Sequence, residues 1–393
     1  MLLEPADPLP EPVLILRLMS ASAPDAAPAR PEPVFGTVVI VGVGLLGGSV
    51  ALGLRERFLA REVIGMDAEP ETLNHALGLG VIDRAQLEPG AWLADADLIV
   101  FAVPVRALGG AISKLAPFIG AHTVLTDVGS VKAPLLESLE PGLRQRFVGG
   151  HPMAGSERGG VANANAGLLQ NAIWVLTPSG ETSSDALTRV RVMVESLGAR
   201  AVTFEASAHD RLVATVSHLP YLSALALTRL IARHEDRDGL ALLAAGGFRD
   251  LTRVASGDAR MSRDMVVENR AALREALSRY RAELEALEAM LFAPEMLLDA
   301  AQEGKRTRDS LPVVKRSLLP VLHDVVVGIP DKPGEFARVA TLLADAKINI
   351  KDVEVLSMRE DGGALRLGFA QLEEAAQARV TLETAGYTAR GRG

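Results

Sequence analysis

The chain has 393 residues, 48% hydrophobic and 23% charged, a composition of two or three globular domains with a sizeable core. Its 41 Lys and Arg against 49 Asp and Glu give a net charge of −8 without long basic runs, which argues against nucleic acid or an anionic membrane surface as a partner. Without cysteine there is neither disulfide nor thiolate metal site, and the seven histidines lack paired zinc spacing, so a cytoplasmic protein with no structural metal is expected.

Residues 1–34 are rich in Pro and Ala and read as a disordered tail. Its apolar run, Val13-Leu14-Ile15-Leu16, is too short to span a bilayer and lacks the flanks of a signal peptide, while Met19 offers a second start. From Phe35 to residue 205, short β-branched runs alternate with helical patterns, the rhythm of a parallel sheet covered on both faces. Strands are expected over Thr37–Val41, Val63–Met66, Leu98–Ala102, Val124–Asp127, Ile173–Thr177 and Ala201–Phe204. Residues 206–300 carry helical stripes instead, through His234 and again from Met261 to Phe292, with Pro220 expected to kink the first. Residues 301–319, with Lys305, Arg306, Arg308 and Pro312, read as a charged linker. Residues 320–393 are expected to form strand Asp324–Ile329, helix Gly334–Lys347, a hairpin of Asp352–Arg359 with Ala364–Phe369, helix Leu372–Ala385 and a short last strand. That order is a ferredoxin-like βαββαβ module.

The first strand runs into Gly42-x-Gly44-x-x-Gly47, the fingerprint of a Rossmann-type dinucleotide-binding domain. Gly42 permits the tight turn, Gly44 lets a pyrophosphate approach the backbone, and Gly47 lets the helix pack on the strand. Leu45 and Leu46 open that helix, whose N-terminal donors face the phosphates. Asp67 ends the next strand 20 positions after Gly47 (67 − 47), placed to accept from a ribose 2′-hydroxyl. No Arg or Lys occupies positions 68–72 to meet a 2′-phosphate, so NAD is favoured over NADP. Val103 and Pro104 follow a further strand that should face the cofactor.

Three more groups point to chemistry. Ser130, in Asp127-Val128-Gly129-Ser130-Val131-Lys132, follows a strand and lies at the carboxyl edge of the sheet, where ligands bind. His151 opens a Gly/Pro-punctuated turn, His151-Pro152-Met153-Ala154-Gly155-Ser156-Glu157, and a neutral imidazole there accepts a proton from a substrate hydroxyl at cellular pH. In Gly246-Gly247-Phe248-Arg249-Asp250-Leu251-Thr252-Arg253, two arginines four apart suit a carboxylate ligand, or equally a surface ion pair with Asp250.

Together with Ser217-His218-Leu219-Pro220, these five motifs occur in an order that resembles the prephenate and arogenate dehydrogenases of tyrosine biosynthesis, from about Val38 to the end. The resemblance implies a Rossmann-type domain, an all-α helical dimerisation domain and a C-terminal ACT domain, acting as a homodimer. It implies NAD-dependent oxidative decarboxylation of prephenate, with His151 taking the hydroxyl proton and Ser130 orienting that hydroxyl. Arg253 would bind a substrate carboxylate, with Gly246 and Arg249 nearby and His209 and His218 lining the pocket. Two positions depart from the family: Tyr221 where a second histidine is frequent after the Leu-Pro pair, and Ser262 where Met-Trp-Arg-Asp is common. They leave the choice between prephenate and arogenate open. In the ACT-like module, Asp331, Pro333, Gly334 and Asn349 are the expected contacts of an amino-acid effector, tyrosine by resemblance.

Two rival readings differ in class. A β-hydroxyacid dehydrogenase would use a lysine on the first interdomain helix, and Ala206–Ala301 contains none. A catalytically silent amino-acid sensor would have no need of Ser130, His151 and Arg253 together.

Overall fold

The computed structural model describes residues 32–155, 158–311, 322–359 and 362–392. Most of the N-terminal tail, Ser156, Glu157 and positions 312–319 of the expected linker therefore lie outside the described residues. Strands β1 (Phe35–Val41), β2 (Ala60–Met66), β3 (Arg84–Gln86), β4 (Leu98–Phe101), β5 (Val124–Asp127), β6 (Phe147–Pro152), β7 (Ile173–Pro178) and β8 (Arg200–Thr203) form one sheet. Their order is β3-β2-β1-β4-β5-β6-β7-β8, with every neighbouring pair parallel except β6 and β7. Helices α1 (Leu45–Glu56), α2 (Pro70–Gly78), α3 (Val105–Leu115), α4 (Ala133–Ser138), α5 (Pro141–Arg144) and α6 (Ser184–Ser196) flank the sheet. Two apolar cores result, so central strands bury continuous runs such as Val38-Val39-Ile40 and Leu98-Ile99-Val100-Phe101.

Chain order reverses between β1 and β4, which opens a crevice at the carboxyl ends of the strands. Because β6 runs parallel to β5, its final residues, Gly150-His151-Pro152, reach that same edge. This corrects the expected turn: His151 is a strand residue paired with Val175 of β7. The glycines before it serve close packing. A Cβ on Gly149 would collide with Thr177 Oγ1, and one on Gly150 with the Asp127 carbonyl.

The helical block holds α7 (Ala206–Val213), α8 (Leu219–Ala232), α9 (Arg237–Leu243), α10 (Gly246–Thr252), α11 (Ala259–Glu268), α12 (Arg270–Ala289) and α13 (Pro294–Ser310). Its buried core is small, built from Ala214, Leu219, Leu273 and Ala276. Between α7 and α8 lies a π-turn, Ala214–His218, and Pro220 follows at the start of α8. The helical run thus absorbs the missing proline N–H by widening one turn just upstream, where a kink was expected. Residues 301–310, expected as linker, complete α13. They are charged but helix-forming, and Lys305 and Asp309 pair one turn apart at 2.6 Å, so charge alone misled.

The C-terminal module is a four-stranded antiparallel sheet of β9 (His323–Ile329), β10 (Asp352–Arg359), β11 (Gly362–Phe369) and β12 (Thr388–Arg392), in order β10-β11-β9-β12. Helices α14 (Glu335–Asp345) and α15 (Leu372–Thr384) share a core with it. Strand β9 alternates, burying Val325, Val327 and Ile329, as a sheet with one covered face requires. Among the described residues no helix is long and apolar enough to cross a membrane.

The glycine packing behind His151 can be tested. Gly150→Ala is expected to cost about 1–3 kcal/mol through overpacking, read as a lower urea midpoint; an unchanged midpoint would show that the strands separate freely there.

Candidate active site

The crevice is built first by glycine geometry. Gly42 has φ +93°, and a Cβ there would lie 2.6 Å from the Ala102 carbonyl oxygen, so both conformation and space demand glycine. A Cβ on Gly47 would collide with the Gly42 carbonyl and lie 2.9 Å from Ala102 Cβ, which is how closely α1 meets the strands. Gly44 is different: nothing stands within 4 Å of the Cβ position, and its face opens on the cleft. Helix α1 starts there without a side-chain cap or an acidic residue in its first turn, leaving donors and partial positive charge for an anion.

The cleft measures about 440 Å³ and is lined by Gly42, Gly44, Asp67, Val103 and Pro104, with Leu87, Ala107 and Ala111 along an apolar wall. Asp67 Oδ2 accepts the Val43 N–H at 2.8 Å and Oδ1 the Glu69 N–H at 3.1 Å, so the carboxylate also braces the fingerprint turn. Leu45 and Leu46 do not line this cleft. Leu46 packs toward the core, and the Leu45 carbonyl accepts from Ser49 Oγ. An uncapped helix end, an open glycine and an acid at the ribose position fit a dinucleotide.

Beside the cleft, Asp127 and Lys132 form a fully buried ion pair. Lys132 Nζ donates to Asp127 Oδ2 and, at 2.9 Å, to the Gly150 carbonyl. Asp127 also accepts the Gly129 N–H at 2.8 Å and the Gly150 N–H at 2.9 Å. Burial pulls the ammonium below the ordinary lysine range, against the attraction of Asp127. This cluster ties the loop bearing Ser130, which is half-buried, to the strand bearing His151.

Three elements then meet in a line. His151 Nδ1 lies 2.9 Å from His209 Nε2, the rings edge to face at 82°, and His209 Nδ1 lies 2.8 Å from Asp210 Oδ1. Asp210 also accepts the N–H groups of Lys132 (2.9 Å) and Ala133 (2.8 Å), capping α4. A carboxylate only accepts, so His209 carries its proton on Nδ1 and presents Nε2 as an acceptor. His151 then donates from Nδ1, which leaves its own Nε2 unprotonated. Burial first, then the charges of Lys132, His209 and His218, holds the His151 pKa well below the usual histidine value. His218 is fully buried, which brings its pKa down to about 4, and its Nδ1 lies 3.1 Å from Asn269 Nδ2.

Gly246 and Arg249 lie on α10, packed against α8, and Arg253 opens the short 3₁₀ turn after it. Both arginines are exposed, and among the described residues neither has a carboxylate partner, including Asp250. Asp331, Pro333 and Gly334 are exposed around the start of α14, where Gly334 has φ +89° and no side chain caps the helix. Asn349 is also exposed but follows the opposite end of that helix, so within one chain it is not brought together with the other three. Lys132, Asp210 and Asn269 went unassigned in the sequence. Only the adjacency of Asp210 to His209 hinted at a role, since their partners are far away along the chain.

Models of the prephenate dehydrogenase nucleotide-binding domain match residues 50–203, and those of its dimerization domain residues 205–297; an ACT domain model matches 323–370. The chain belongs to the prephenate dehydrogenase family. It is 32% identical over 361 residues to a prephenate dehydrogenase of Bacillus subtilis, covering 88% of this chain and 97% of that protein. A solved prephenate dehydrogenase of Aquifex aeolicus, in complex with hydroxyphenyl propionate and NAD+, superposes with TM-score 0.67 at 33% identity over 70% of this chain and 97% of that one. Synechocystis arogenate dehydrogenase gives 0.61 at 32% identity, covering 70% and 99%. Family membership therefore defines a dehydrogenase with an appended ACT domain.

The buried pair gives a direct test. Lys132→Met strands the Asp127 charge and is expected to cost about 3–5 kcal/mol, measured by urea unfolding; a loss under about 1 kcal/mol would show that backbone donors alone hold the carboxylate.

Proposed function

We propose that the protein is an NAD-dependent prephenate dehydrogenase of the cytoplasm, converting prephenate to 4-hydroxyphenylpyruvate in tyrosine biosynthesis, as a homodimer regulated by tyrosine. The observation that carries this reading is the Asp210–His209–His151 line, which leaves His151 Nε2 unprotonated at the carboxyl edge of the sheet, the edge that also bears the nucleotide cleft.

NAD, when bound, supplies the hydride acceptor. Gly42, Gly44 and the first turn of α1 hold its diphosphate, Asp67 its ribose, and Val103 with Pro104 one wall of the cleft. His151 accepts the proton of the ring hydroxyl as hydride leaves the carbon that bears it, and Ser130 orients that hydroxyl. The positive charge so created is shared through His209 with Asp210, whose carboxylate is already in place. Carbon dioxide departs with the ring's aromatisation, and the proton returns to the phenolate oxygen. Arg253, with Arg249 and Gly246 beside it, receives a substrate carboxylate, and both guanidiniums are exposed for that purpose.

A dimer is supported by the dimerization-domain match and by apolar side chains that one chain leaves uncovered, Leu242 at 86% and Phe292 at 94% exposure among them. The ACT match supports regulation, with tyrosine held at the start of α14 by Asp331, Pro333 and Gly334, while Asn349, past the other end of that helix, takes no part in this contact within the same chain.

His151→Asn is expected to lower turnover by about 10²–10⁴ while NAD affinity stays. Since the base must be neutral and its pKa lies below the histidine norm, wild-type kcat/KM should already be flat above pH 6.5 and fall only in more acid solution. Near-normal turnover in the variant would remove His151 from the mechanism. Reduced-cofactor absorbance with prephenate and with arogenate, with and without tyrosine, tests the rest: prephenate turnover damped by tyrosine is expected, and a preference for arogenate would reassign the substrate through Tyr221 and Ser262.

A further inference from the structure

Asn269 stands at the N-terminal boundary of α12, is buried, and spends its side chain not on capping that helix but on two other residues. Its Nδ2 lies 2.8 Å from the Asp210 backbone carbonyl. A carbonyl oxygen only accepts, so the amide atom facing it is the NH2 group; the flipped amide would set oxygen against oxygen. The same Nδ2 lies 3.1 Å from His218 Nδ1. One amide hydrogen serves Asp210 and the other is left for the ring, so His218 Nδ1 is an acceptor. A neutral imidazole with Nδ1 accepting carries its proton on Nε2.

His218 Nε2 is fully buried and has no hydrogen-bond partner among the described residues. An N–H donor left unmet in the interior is costly and rare, so an acceptor belongs there. Asn269 links the His218 ring to the backbone of Asp210, whose carboxylate holds His209 against His151, so this donor lies beside the same line of groups as the base. We propose that Asn269 is a positioning residue that fixes His218 as the Nε2–H tautomer, aiming a buried donor at an oxygen of the bound substrate. The ligand named here rests on the proposed function; the tautomer does not. The pocket then has two polarities: His151 takes a proton, and His218 offers a hydrogen bond without changing charge.

Nitrogen-15 spectra of histidine-labelled protein read the tautomer in the unaltered chain. His218 protonated at Nε2 is expected, and protonation at Nδ1 would overturn the assignment. Prephenate should move the Nε2–H resonance; an unmoved resonance under saturation would give the donor to water and overturn the substrate contact. Asn269→Asp presents only acceptors, so His218 should switch to Nδ1–H and the KM for prephenate should rise about 10- to 100-fold, with NAD affinity retained. His218→Gln offers an amide donor whatever Asn269 does, so in that background Asn269→Asp should cost little. An equal penalty in both backgrounds would mean a structural role and sink the proposal. The tautomer switch without any prephenate turnover would uphold Asn269 and defeat the functional reading alone.

Discussion

One carboxylate joins the two halves of the site. Asp210 belongs to the helical block, yet it accepts two backbone N–H groups of the nucleotide-binding domain, at Lys132 and Ala133, and its neighbour His209 reaches back to His151. A buried carboxylate is tolerated only when its lone pairs are filled, so the domains must meet closely around Asp210. That closeness is what brings an imidazole from α7 against one from β6. Removing the contact would separate base from relay before it altered either domain's core.

Around this carboxylate the site accumulates positive or potentially positive groups: Lys132, His151, His209 and His218. Asp127 neutralises Lys132 inside the same loop, and the Asp210 carboxylate faces His209. Burial and mutual repulsion keep His151 and His218 uncharged, so an anionic substrate meets neutral rings whose hydrogen-bond polarity is set by neighbours. In the proposed reaction the charge that draws a carboxylate belongs to Arg249 and Arg253, both exposed. That proposal gives attraction and proton transfer to different residues, and the lowered pKa of His151 keeps its ring neutral for the second.

The sequence was legible where pattern and role coincide. Continuous apolar runs at Val38–Val41 and Leu98–Phe101 mark fully covered parallel strands, and Gly42, Gly44 and Gly47 carry their spacing with them. Strand β6 was not legible because Gly149-Gly150-His151-Pro152 has the composition of a turn, although its glycines exist to let neighbours close in. Charged residues 301–310 read as linker for a like reason, since helix-forming charge and linker charge look alike without the pairing at Lys305 and Asp309. Asp210 and Asn269 fall in a harder class. Their partners lie 78, 77, 59 and 51 positions away, the first two in the other domain, and no local pattern encodes contacts at such separations.

The π-turn shows how the chain solves a placement problem that composition alone does not reveal. His209 and His218 are nine positions apart on one helical run, and at about 100° per residue an unbroken α-helix would set them on opposite faces. Widening the turn at Ala214–His218 takes up roughly one extra residue and swings His218 about a quarter turn back toward the side of His209. Pro220 fits this arrangement, because its missing N–H frees the carbonyl four residues earlier, Val216, inside the widened turn. The proline is therefore tied to the orientation of a histidine two residues before it. A regular α-helix through the same segment would still lack the bond from Pro220 to the Val216 carbonyl and would turn His218 to the face opposite His209.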